Sequence, residues 1–115
     1  MNHGMETIKH VTPIIGGIYS SECTSKVSIL IERKYGIYFL MHLDSKYSRS
    51  DCINDVQKLI DNNTCYFCYK NITSCNYDRN FSGYLGYVPN LMLDILQAKL
   101  HERKWYKEIE KKYRK

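Results

Sequence analysis

Two stretches, Lys26-Val-Ser-Ile-Leu-Ile-Glu32 and Gly36-Ile-Tyr-Phe-Leu-Met-His-Leu43, carry the strongest strand signal in the chain. The polar link Arg33-Lys34-Tyr35-Gly36 ends in glycine, as a hairpin connection should. From Ile37 to Met41 no polar residue alternates with the apolar ones, so this strand is expected to be covered on both faces. Before the hairpin, residues 5–19 combine β-branched residues with Pro13 and the pair Gly16-Gly17, which predicts a short strand and then a turn. After it, Ser50-Asp51 offers an N-cap for a helix carrying Ile53, Val56 and Ile60, with Asn62-Asn63 as its stop. Thr64–Tyr69 reads as a third strong strand, Ile72–Tyr77 as a short fourth, and residues 78–88, with Gly83 and Gly86, as a loop. Pro89 suits the first turn of a long C-terminal helix whose apolar stripe is Leu91, Met92, Ile95, Leu96 and Leu100. The expected class is α+β. Its antiparallel or mixed sheet is built on a central hairpin (about 26–32 and 36–43), with a mid-chain helix and a long C-terminal helix.

A chain of 115 residues has room for a single domain, 1–115. With 43% apolar and 25% charged residues its composition is ordinary for a globular protein, which excludes a disordered or collagen-like chain. No apolar run approaches the roughly 20 residues of a membrane span. Met1–His10 lacks the apolar centre of a secretory leader, so a cytoplasmic protein with reduced thiols is expected. The net charge of +5 is concentrated at the end of the chain, where Lys99–Lys115 holds eight Lys or Arg against three Glu. Residues 102–115 therefore read as a basic, partly frayed helical end. Trp105, Tyr106 and Tyr113 sit among its cations, but Glu102, Glu108 and Glu110 interrupt them and Glu108 lies four residues before Lys112. That pattern describes a solvated helix face and argues against nucleic acid as a partner.

The hairpin also places chemistry. Cys23 precedes the first strand and His42 nearly closes the second, so antiparallel pairing sets both at the end of the ribbon away from its turn. Strands lie about 5 Å apart, within reach for an imidazole to take a thiol proton and release a nucleophilic thiolate. Asp44, two residues on, would share a face with His42 and could orient its ring. Ser20, Ser21 and Thr24 around Cys23 offer hydroxyl and backbone donors to a developing oxyanion.

Gly16-Gly-Ile-Tyr-Ser-Ser-Glu-Cys23, an apolar strand, a short turn and Gly36-Ile-Tyr-Phe-Leu-Met-His-Leu-Asp-Ser45 together resemble the nucleophile region of protein N-terminal asparagine amidohydrolase. The same segment is more distantly similar to chemoreceptor glutamine deamidases and to the deamidating cytotoxic necrotising factor toxins. The resemblance covers about 45 residues and implies a Cys opening one strand and a His closing the next. Cys23 would then be the nucleophile, His42 the general acid/base and Asp44 the trailing acid. At position 17, where those families place Thr or Ser, this chain has Gly17, so Asp44, Ser20 and Ser21 all compete for the third role. The implied reaction is hydrolysis of an Asn or Gln side-chain amide on a protein substrate, without a cofactor, with Tyr66–Tyr69 and Tyr84–Tyr87 lining the docking surface.

Two further readings compete. Cys65-x-x-Cys68 with Cys75 could hold a metal, with His42, Cys52 or His101 completing the set. A strand sends residues i and i+3 to opposite faces, however, so buried free thiols are the stronger expectation and no metal is assigned. The alternative outside catalysis is a protein-interaction module of α+β fold that binds a host or partner protein through its Tyr-rich loops.

Overall fold

Tyr35 and Gly36 both take positive φ, 59° and 71°, which is what a tight two-residue turn needs to follow the twist of its strands. In the computed structural model they join β2 (Val27–Lys34) to β3 (Ile37–Leu43). The link is two residues long, not four, because Arg33 and Lys34 stay in the ladder opposite Tyr38 and Ile37. The structure describes residues 12–21, 26–44, 48–74 and 81–114.

The hairpin is the centre of a five-stranded antiparallel sheet with β1 (Gly17–Ser20), β4 (Phe67–Asn71) and β5 (Gly83–Tyr87). Strand order is β4-β3-β2-β1-β5. In the 5–19 stretch the turn is found at Ile15–Gly16 and leads into β1, while residues 5–11, within the stretch expected to hold a strand before it, lie outside the described residues. Residues 83–87, expected in a loop, form β5, whose pairing with β1 shifts register between Ile18 and Tyr19. Ile72–Ser74 is a 3₁₀ turn instead of a strand, and residues 75–77 lie outside the described residues.

One irregularity sets the hairpin's geometry. Leu30 pairs with Leu40 but Glu32 with Phe39, so Ile31 is an extra residue in β2, a β-bulge. The carbonyl of Ile31 accepts a hydrogen bond from Gln97 Nε2 at 3.0 Å.

Three helices pack on one face: α1 (Arg49–Asp61), α2 (Asn90–His101) and α3 (Lys104–Tyr113). Ser48 caps α1, its hydroxyl accepting from the Asp51 N–H. Asn62 closes the helix and Asn63 turns the chain away with φ 56°. The expected long C-terminal helix is divided at Arg103, which is extended (ψ 136°) and donates from Nη2 to the Cys65 carbonyl at 2.5 Å. The break re-aims the chain so that Leu100 on α2 and Tyr106 on α3 are both buried. Within residues 102–115, read from the sequence as a basic, partly frayed helical end, Lys104–Tyr113 form α3. Tyr106 donates to Glu32, whose other oxygen meets His101 Nε2 at 2.6 Å, and Glu110 accepts from Lys34 and Tyr35.

Ile18, Val27, Ile29, Phe39, Met41 and Leu43 point to the helices and meet Val56, Leu96, Leu100 and Tyr106 in the main core. Tyr19, Leu30, Tyr38 and Leu40 point the other way, into a smaller cluster closed by Phe81. Phe81 stands edge-on to Tyr19 and to Tyr38, at 5.2 and 5.3 Å between ring centres. β3 is covered on both faces, as its unbroken apolar run requires.

Candidate functional site

His42 belongs to this second face. Beyond the bulge its cross-strand partner is Ser28, and directly paired residues in an antiparallel ladder share a face. Ser28 Oγ lies 2.9 Å from His42 Nδ1. On the other side of β3, Cys68 pairs with Leu40, two residues before His42 and on the same face. That makes Cys68 the diagonal neighbour of His42, a separation that a long side chain spans. His42 Nε2 lies 2.8 Å from Cys68 Sγ. Hydroxyl, imidazole and thiol thus form a line across three adjacent strands.

Both titratable members are held neutral. Burial first, then the charges of Lys70 and Lys26, push the His42 pKa below its ordinary value. Burial raises the Cys68 thiol, while Lys70 acts in the opposite direction. The resting pair is therefore thiol and neutral imidazole. In the tautomer able to accept at Nε2, Nδ1 carries the hydrogen and donates it to Ser28 Oγ. Ser28 is thereby the orienting group.

Of the residues expected at the site, the structure brings His42 to a thiol, but to Cys68. Cys23 and Thr24 lie outside the described residues. The residues flanking them are joined, Ser21 N–H donating to the Lys26 carbonyl at 3.0 Å. Lys26 directly precedes β2, whose first pair, Val27 with Leu43, marks the end of the ribbon nearest His42. Asp44 does not orient the ring. β3 stops at Leu43, so the alternation that would return Asp44 to the face of His42 stops with it. Its side chain is fully exposed, 3.9 Å from Lys26 Nζ. Ser20 pairs with Val27 on the helix-covered face and its hydroxyl reaches the Gly83 carbonyl. It is therefore not brought to His42. Ser21 is buried at the end of β1. Gly17 is a packing requirement: an added Cβ would stand 2.6 Å from the Tyr19 ring and 2.9 Å from the Ile14 carbonyl. A Thr or Ser has no room there.

The sequence singles out Cys68 only as a candidate metal ligand and Ser28 not at all. Ser28 is the single hydroxyl among apolar residues in β2, and that polar break was the available signal. Cys65 joins the helix-side core and Cys68 the opposite cluster, so the two thiols of the Cys-x-x-Cys do not converge. Cys52 is buried among the helix-side residues. Among the described residues no three His, Cys, Asp or Glu side chains are grouped to hold a metal ion, and no helix is long and apolar enough to cross a membrane.

Beside His42 the sheet opens into a cleft of about 670 Å³. Pairing of β3 with β4 begins only at Met41 and Phe67. The chain at Thr64–Tyr66 therefore leaves the end of β3 without a partner on its β4 side, and Asp55, Lys58 and Leu59 of α1 line the gap. Lys26 and Lys70 line it with His42. Compared with family models, with curated proteins and with solved structures, the chain matches none.

Proposed function

We propose that the chain is a cysteine-dependent amidohydrolase that turns an Asn or Gln side-chain amide of a protein into a carboxylate. The reading rests on one observation, the contact of His42 Nε2 with Cys68 Sγ at 2.8 Å while Nδ1 is held by Ser28. Cys68 gives its proton to His42 Nε2 as sulfur attacks the amide carbon. The C–N bond breaks and ammonia leaves with the proton returned from Nε2. Water then passes a proton to Nε2 and attacks the thioester, the C–S bond breaks, and Cys68 recovers its thiol. No cofactor enters. The same reading places the protein in a reducing, cytoplasmic compartment, where Cys68 remains a thiol. The resemblance around Cys23 supports the reaction class and offers a rival thiol for the same imidazole.

Site-resolved alkylation by iodoacetamide between pH 5 and 10, with ammonia release from Gln- and Asn-containing peptides, tests this in wild type, Cys68→Ala, Cys23→Ala and His42→Ala. Loss of ammonia release in Cys68→Ala and His42→Ala but not in Cys23→Ala is the expected result, with a decrease of about 10² or more. Loss in Cys23→Ala alone would return the nucleophile to Cys23. Full activity in His42→Ala would sink the pairing of His42 with the nucleophile. The interaction module is favoured by a different observation, the exposure of Tyr66, Tyr69, Tyr84, Tyr87 and Leu91. It becomes the account of the protein if no variant or wild type releases ammonia.

A further inference from the structure

We propose that the outward face of α3 is a docking surface for a single-stranded nucleic acid, whose phosphates meet Lys104, Lys107, Lys111 and Arg114. The inference is independent of the amidohydrolase reading. Lys104, Lys107 and Lys111 follow one another at helical spacings of three and four, so they form one row, which Arg114 extends past the end of the helix. All four residues are exposed. Among the described residues, their side chains enter no ion pair. Together with Glu108 and Glu110 they line a groove of about 420 Å³.

In the sequence three glutamates count against such a surface, and the fold removes two of them. Glu102 closes α2 and lies before α3 begins. Glu110 turns toward the hairpin, where Lys34 Nζ lies 2.6 Å from its Oε2 and the Tyr35 hydroxyl donates to the same atom. Its charge is matched within the protein. Glu108 alone is left to oppose four cations, so the row is positive on balance. Helix stability does not account for the row either. Lys104 stands in a first turn that holds no acidic residue, where the helix dipole disfavours a cation.

Length and neighbouring rings choose among anions. Ten residues make α3 roughly 15 Å long, and a strand rising about 3.4 Å per nucleotide brings about four phosphates to it. On the flank that carries Trp105 and Lys112, Tyr69 is half-exposed, its ring centre 5.2 Å from that of Trp105. Exposed rings beside a basic track suit unpaired bases, which stack on them. A membrane surface fits less well. An interfacial helix gives its apolar face to lipid, whereas Trp105, Tyr106 and Ile109 of α3 are packed on the protein's own core.

The test uses the full chain and fluorescence anisotropy with a labelled oligouridylate of about 12 nucleotides. A labelled oligoglutamate of the same length and vesicles of phosphatidylserine and phosphatidylcholine are measured beside it. The oligouridylate is expected to bind with a log–log salt slope of about −3, from four contacts at about −0.7 each. A fourfold rise in salt then weakens binding roughly 50-fold. The triple variant Lys104→Gln, Lys107→Gln, Lys111→Gln, at exposed positions, is expected to reduce the slope to about −0.7 while melting in step with wild type. Tyr69→Ala is expected to weaken binding about fivefold or more at an unchanged slope. No binding of the oligouridylate, or an affinity and slope that the triple variant leaves unchanged, would overturn the proposal. Equal binding of the oligoglutamate or of the vesicles, lost in the same triple variant, would overturn it too and leave a surface for polyanions at large.

Discussion

The same strands supply both faces of the sheet, and the faces are built differently. Toward the helices, Ile18, Ile29, Phe39 and Met41 meet a continuous apolar layer from all three helices. Away from them, Tyr19, Leu30, Tyr38, Leu40 and Phe81 form a small cluster, and the positions beside it are given to Ser28, His42 and Cys68. Buried polar groups are tolerable where each satisfies another. The second face can therefore hold the Ser28–His42–Cys68 line without drawing on the helix-side contacts that keep the chain folded. Stability and the proposed chemistry are separated by one β-strand's thickness.

The sharpest way to break that contrast is on the helix side. Phe39 is fully buried and lies against the Trp105 and Tyr106 rings. Phe39→Ala is expected to cost about 3–5 kcal/mol in urea unfolding. Tyr106→Phe keeps the ring and removes only the hydroxyl given to Glu32; about 1.5–3 kcal/mol is expected by the same measurement. On the other face the balance reverses. Ser28→Ala is expected to cost only about 1 kcal/mol but to slow the proposed amide hydrolysis by about 10- to 100-fold, the range known for groups that orient a metal-bound histidine. A stability loss as large as that of Phe39→Ala with turnover intact would erase the distinction.

The smallest effect is in pH. The fold holds His42 below its unfolded value of about 6.5. Between that depressed value and about 6.5 the unfolded chain takes a proton that the folded chain refuses. Acidification through this window therefore favours unfolding, and the loss is complete below the folded pKa. The melting temperature of wild type should fall from pH 7 through pH 6, roughly, more steeply than that of His42→Asn. Parallel curves would mean that His42 titrates as an ordinary surface imidazole.

The hairpin and the two-sided burial of β3 were legible because Ile37–Met41 is apolar at every position. The approach of a thiol to His42 was legible only in kind. A two-residue turn at Tyr35–Gly36 with regular pairing would set Ile29, not Ser28, across from His42, and no propensity announces the added residue at Ile31. Cys68 depended on the register of β4, which α1 separates from the hairpin in sequence. Asp44 failed because same-face alternation was extended one residue past the end of a strand. β5 was hidden by Gly83 and Gly86, which read as loop residues; Gly86, at φ 122°, is covered by the Arg49 side chain, which leaves a Cβ no room.

The bulge at Ile31 makes the site sensitive to a kind of change that distance does not suggest. Drawing that extra residue into regular pairing, with the turn kept, would turn the strand over: Ser28 would face the helices and Ile29 the imidazole. The carbonyl of the extra residue is held by Gln97, on the far side of the sheet. A helix in the structural layer thus sets the phase of a strand, and through it which atom His42 Nδ1 meets. A one-residue slip of register there is a reversal of the face, where in a loop it would be a local adjustment.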